Sequence, residues 1–64
     1  MVTINGQNYP ISGMTLAQYL ETTTYNIKRI AVERNGEIVP KSAYDQTILQ
    51  DADVMEIVRF VGGG

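Results

Sequence analysis

Residue types that do chemistry are scarce in this sequence. Its 64 residues include no cysteine and no histidine. That removes thiol nucleophiles, imidazole bases, disulfide frameworks and the usual zinc frameworks. There is no glycine-rich loop with a lysine to cradle a phosphate, and no G-x-S-x-G turn to present a nucleophilic serine. Carboxylates remain. Asp51 and Asp53 stand two apart and could hold a cation, but a calcium loop needs further ligands and a glycine at a set offset. They read instead as a solvated turn. Glu33, Glu37 and Glu56 read as solvent-facing strand positions. A chain this short also struggles to enclose a ligand pocket of roughly 300 Å³ or more. The expectation is a protein that is acted upon, with no catalytic residue, metal or cofactor of its own.

The chemistry that is left lies in Gly62-Gly63-Gly64, directly after an apolar strand. A frayed terminus is the plain reading. Three physical facts support a functional one. Glycine has no Cβ, so an extended run of it can enter a channel that excludes other residues. Fully extended, three residues reach about 10 Å. The distinct group at the tip is the unhindered α-carboxylate of Gly64, which another enzyme could activate by letting it attack a nucleotide α-phosphate. Ordering glycine on binding costs more entropy than ordering any other residue, so such a tail makes sense where threading it gains something.

The elements that must carry this tail follow from period and punctuation. Val2 and Ile4 alternate with Met1 and Thr3, Asn5-Gly6 suits a tight hairpin turn, and Tyr9 and Ile11 continue the return strand. Pro10 places that strand at a sheet edge. Thr15 and Gln18 have capping-box spacing, and Leu16, Tyr19 and Leu20 then share one helical face, which predicts a short helix from Thr15 to Thr22. Thr22 to Thr24 weaken its end. Residues 24–29 read as a loop with Tyr25 or Ile27 turned inward. Ile30 to Val39 form a second hairpin about Asn35-Gly36, stopped by Pro40. Ser42 and Asp45 suggest one capped turn with Tyr44 packing down, Ile48 and Leu49 offer an apolar anchor, and residues 51–53 turn into a last strand over 54–61.

In that strand Met55, Ile57, Arg59 and Val61 alternate with Val54, Glu56, Val58 and Phe60, so both faces are substantially apolar. One helix covers one face of a four- or five-stranded sheet and leaves the other to solvent or a partner. The fold class is therefore α+β, a mixed sheet with one helix across it, the first and last strands being central neighbours. Val58 and Phe60 either form a second small core under residues 41–49 or an exposed apolar patch of the kind that marks partner surfaces, with Arg59 as a charged anchor. The domain spans 1–61 and the tail 62–64. Net charge is −2, and Lys28-Arg29 is the only adjacent basic pair, so nucleic acid is not an expected partner. No apolar run approaches the roughly 20 residues of a membrane helix and no leader pattern is present. A cytoplasmic protein without a membrane association is expected.

The residues "NGEIVP" (35–40), the acidic turn that follows, and "EIVRFVGGG" (56–64) resemble the ThiS family, the sulfur carriers of thiamine biosynthesis. The likeness extends to the first "NG" hairpin and to "TLAQYL" on the helix, and so covers the whole chain. A two-glycine end alone is shared with the small subunit of molybdopterin synthase and with ubiquitin-like modifiers, which remain the alternative readings. The resemblance implies a β-grasp fold. It implies that a ThiF-like adenylyltransferase uses ATP to adenylate Gly64, and that sulfur from a cysteine-desulfurase persulfide replaces AMP to leave a C-terminal thiocarboxylate. A ThiG-like thiazole synthase would take that sulfur. Gly62 and Gly63 would thread the tail, and Val58, Arg59 and Phe60 would be partner contacts. Two departures stand out: family members often have glycine where this chain has Ala52, and a glycine-type helix end where it has Thr22 to Thr24.

Overall fold

The computed structural model describes residues 1–60; Val61 and the three glycines lie outside the described residues. Five strands form one sheet: β1 (Val2–Ile4), β2 (Gln7–Tyr9), β3 (Ile30–Arg34), β4 (Glu37–Val39) and β5 (Val54–Arg59). One helix, α1 (Leu16–Glu21), follows β2, and single 3-10 turns occupy Ile27–Arg29 and Lys41–Ala43. The strand order is β2-β1-β5-β3-β4. Both hairpins are antiparallel, β1 runs parallel to β5, and β3 runs antiparallel to it. This is the β-grasp arrangement, with β5 at the centre and the hairpin mates β2 and β4 outside. Pro10 and Pro40 directly follow the two edge strands, where a missing N–H breaks no ladder.

The helix starts as its sequence dictates. Thr15 Oγ1 accepts the Gln18 N–H at 3.1 Å, and Gln18 Oε1 accepts the Thr15 N–H at 3.0 Å. Its end is built without glycine. Thr22 stays in a right-handed conformation, and the hydroxyls of Thr22 and Thr23 donate to the carbonyls of Tyr19 and Leu20 at 2.6 and 2.7 Å. The Thr22 and Thr23 N–H groups donate to the same two carbonyls at 2.9 and 3.1 Å, so tightened backbone bonds and threonine hydroxyls together cover last-turn carbonyls that lack the regular helical partner.

Leu16, Tyr19 and Leu20 of α1 meet Val2, Ile4, Ile30, Val32, Met55 and Ile57 of the sheet, closed below by Tyr44 and Leu49. Tyr25, not Ile27, is the residue of the following loop that packs against this core. Tyr9 and Tyr19 tilt against each other with ring centroids 6.1 Å apart, a spacing within the range favoured by aromatic pairs. Burial pushes the hydroxyl pKa of both Tyr19 and Tyr44 up, with Tyr9 and Tyr25 adding to the effect on Tyr19.

Three expectations are corrected. Ser42 caps nothing: the turn Lys41–Ala43 begins at Pro40, whose ring fixes φ near the required value and which makes no side-chain cap. Leu49 is the anchor, fully buried, whereas Ile48 points outward and is 53 % exposed. Asp53 does not belong to a solvated turn. It is buried, and its carboxylate accepts bonds from Arg34 Nε at 2.9 Å, Asn35 Nδ2 at 3.1 Å and the Gln50 N–H at 2.9 Å. Burial raises the Asp53 pKa, but these donors outweigh it and hold the carboxyl below its ordinary range. Asp51 is the solvated member. It pairs with the N-terminal ammonium and accepts a bond from Ser12 Oγ, and these hold it below the usual carboxylate range.

Candidate functional site: the tail root and the uncovered sheet face

Gly62, Gly63 and Gly64 fall beyond the described residues, so the site is read from what carries them. The carrier is β5, held on both edges. Thr3 and Ile4 pair with its first two residues, and five residues of β3 pair with Met55 through Arg59. Both hairpin turns also grip it. Asn5 Oδ1 accepts the Ile57 N–H at 2.9 Å while Asn5 Nδ2 donates to the Ile57 carbonyl at 3.2 Å. This continues the β1 ladder with a side chain beyond the strand's last residue. Asn35 does the same service on the other side, accepting the Val54 N–H at 2.9 Å and donating to Asp53. Both asparagines sit at positive φ, as their turns require.

Strand parity divides the functional candidates between two faces. Met55 and Ile57 point into the core, while Val54, Glu56, Val58 and Phe60 point away from the helix and are exposed. Val58 and Phe60 are 54 % and 56 % exposed, so no second core forms over them. Arg59 does not join them. It lies on the opposite face, with its guanidinium carbon 4.7 Å from the centre of the Tyr25 ring, within cation–π distance. Phe60 leaves the sheet through one backbone bond, its N–H donating to the Arg29 carbonyl at 2.8 Å.

Two features of the outer face go beyond Val58 and Phe60. Ile38, paired with Glu33, is 66 % exposed and widens the apolar area onto β4. Glu33 and Glu56 are directly opposite each other across β3 and β5. With Val54, Asn35 and Gly36 they line a hollow of 440 Å³. Like charges so placed repel, and neither carboxylate has an ion-pair partner among the described residues. The signal was present in the alternation of each strand, but becomes visible only once the register is known. No helix of the described residues is long and apolar enough to cross a membrane.

The arrangement offers an exposed, partly apolar outer face and a firmly held central strand that leads to Phe60, the last described residue. Comparison with known proteins gives this a family. The family model described as ThiS family matches residues 2–64, the three glycines included. The sulfur carrier protein ThiS of Bacillus subtilis is 39 % identical over 66 residues, with all of both chains covered. A thiazole synthase of Paramagnetospirillum magneticum is 45 % identical over 64 residues, which take in 98 % of this chain but only 20 % of that protein's length. The crystal structure of the thiamine biosynthesis protein ThiS from Geobacter metallireducens superimposes with a TM-score of 0.78 at 28 % identity, covering 98 % of this chain and 97 % of that one. The chain belongs to the ThiS family.

Proposed function

We propose that this protein is a sulfur carrier of thiamine biosynthesis whose working atom is the carboxyl carbon of Gly64. The observation that carries the reading is the family match through the last glycine, on a chain whose central strand runs toward that end. A ThiF-like adenylyltransferase takes the tail into its nucleotide site. The Gly64 carboxylate attacks the α-phosphate of ATP, pyrophosphate leaves, and the carboxyl carbon becomes electrophilic as an acyl-adenylate. A persulfide supplied through a cysteine desulfurase attacks that carbon and expels AMP. A second thiol then cleaves the sulfur–sulfur bond, being oxidised as it does so, and leaves a thiocarboxylate. The carrier itself binds no cofactor in this scheme; ATP belongs to the activating enzyme.

The acceptor is a ThiG-like thiazole synthase. Its support is that a stretch of a protein named thiazole synthase is similar to 98 % of this chain. Gly62 and Gly63 keep the tail narrow enough to thread, and Val58 and Phe60 give the partner an apolar hold at its root. Incubation with the activating enzyme, ATP and a persulfide donor should exchange one oxygen for sulfur in the intact mass of the carrier. A chain lacking Gly64 should show no exchange; sulfur gained by that shortened chain would overturn the mechanism.

A further inference from the structure

The charges of this small acidic domain are sorted along β5. Five of its seven carboxylates cluster about the strand's N-terminal half: Asp51 and Asp53 lead into it, Glu56 lies on it, and Glu33 and Glu37 are placed beside it by the strand register. Four of its five basic residues gather at the other end, where the tail leaves. Arg59 is the last residue of β5 and pairs with Ile30. The carbonyl of Ile30 accepts a bond from Lys41 Nζ at 2.9 Å. Arg29 holds the Phe60 N–H through its carbonyl, and Lys28 precedes it on the same 3-10 turn. All four side chains are exposed, and none is ion-paired among the described residues. The fifth cation, Arg34, is bound to Asp53 at the acidic end.

We infer that Lys28, Arg29, Lys41 and Arg59 form a basic collar that docks on an acidic rim around the mouth of the site the tail enters on its activating enzyme. This rests on the carrier reading above for the identity of the enzyme. Distance assigns the collar to the rim and not to the reacting phosphate. The four residues from Val61 to Gly64 span up to about 13 Å when extended. That exceeds the screening length of about 8–10 Å at physiological salt, so the cations act at the entrance while the carboxylate reacts inside. Opposite charge at a rim orients an encounter and speeds it, and a faster encounter at unchanged dissociation tightens binding by the same factor. The collar would bring the chain in tail first, while the acidic end turns away from the same rim.

The test is a calorimetric titration of the full-length chain into its ThiF-like enzyme without ATP, over a salt series. Lys28→Gln/Arg29→Gln removes two charges from the collar. Gln7→Glu/Gln50→Glu makes the same change in net charge near the acidic end and serves as the matched control. At low salt the collar variant should bind about tenfold more weakly, about 1.4 kcal/mol, with a flatter dependence on salt, and the control should change little. Equal weakening by both variants would mean that only net charge matters and would overturn the collar. So would unchanged enzyme binding accompanied by lost retention on heparin, which would assign the cations to a polyanion. A chain lacking Gly64 should bind with the unaltered salt slope, so the collar stands or falls separately from the sulfur chemistry.

Discussion

Ala52 holds a backbone conformation that suits glycine. Its φ is 71°, one of three positive values among the described non-glycine residues, and the other two are the turn asparagines. The turn matters because it launches β5: the Ala52 N–H donates to the Met1 carbonyl at 2.9 Å, and the Thr3 N–H then donates to Asp53. Left-handed backbone disfavours an L-residue by about 1–2 kcal/mol. Ala52→Gly removes that strain but gives the unfolded chain more freedom, worth about 0.4–1 kcal/mol in the other direction. The side chain is exposed, so little packing is lost. The expected balance is a stabilisation of about 0.5–1 kcal/mol. At about 4–8 °C per kcal/mol for a domain of this size, the melting temperature should rise by about 2–8 °C. Urea unfolding should show a higher midpoint at unchanged slope, since the surface exposed is the same. The chain is short enough for chemical synthesis, which permits D-alanine at this position. D-alanine keeps the methyl group and the stiffer unfolded chain, so it should stabilise more than glycine does. A lower midpoint for Ala52→Gly, or a D-alanine protein no more stable than the parent, would refute the assignment of strain to this residue.

Asp53 makes stability depend on acid. Its folded pKa is depressed, so its contribution is complete above the unfolded value of about 3.9 and is lost as pH falls through the folded one. Urea midpoints should therefore fall below about pH 4 in the parent and fall less steeply in Asp53→Asn, which should already be weaker near pH 7; parallel profiles would discount the carboxylate. Asn5→Gly keeps a residue that accepts the positive φ but removes both bonds to Ile57. It should destabilise the chain by about 1–3 kcal/mol, and a loss comparable to that of an ordinary surface change would show that the side-chain ladder carries no weight. Glu56→Gln relieves the repulsion with Glu33 and should stabilise by about 0.2–1 kcal/mol at low salt, with the gain shrinking in 1 M salt; a gain independent of salt would point to a cause other than charge.

The parts of the fold legible in the sequence are those set by local chemistry. The two Asn-Gly turns, the Thr15–Gln18 cap and the Leu16, Tyr19, Leu20 face each act over a few residues, and all are found where their spacing puts them. The central pairing of β1 with β5 was also legible, because two hairpins in a five-stranded sheet leave few other places for the last strand. What escaped depends on contacts far apart in the chain. Nothing near Asp53 announces that Arg34 and Asn35 will bury it, 19 and 18 positions away. Ser42 has the spacing of a cap, yet Pro40 starts the turn two residues earlier, and Ile48 and Leu49 differ only in which way the chain faces as it passes under the helix. The outer face was legible as a choice between a second core and a patch, and only the path of residues 41–49 beneath the sheet's other side decided for exposure.

The grip on β5 decides how far a pull on the chain's end would reach into the domain. At Met55 the strand has a ladder on each side, one from β1 and one from β3, and its side chain is wholly buried. By Ile57 the β1 strand has ended, and the Asn5 side chain supplies the pair of bonds that backbone supplied before. At Val58 and Arg59 only β3 remains, and at Phe60 only the Arg29 carbonyl. Attachment therefore falls in steps toward the tail. A strand held weakly throughout would let any pull on its end open the core, since Met55 and Ile57 are part of it. Local stability follows the density of buried contacts and backbone bonds, so Met55 to Ile57 anchor the domain and Val58 to Phe60 are held more lightly. Under the proposed threading mechanism, three extended glycines would add a reach of about 10 Å to whatever length this lightly held end releases.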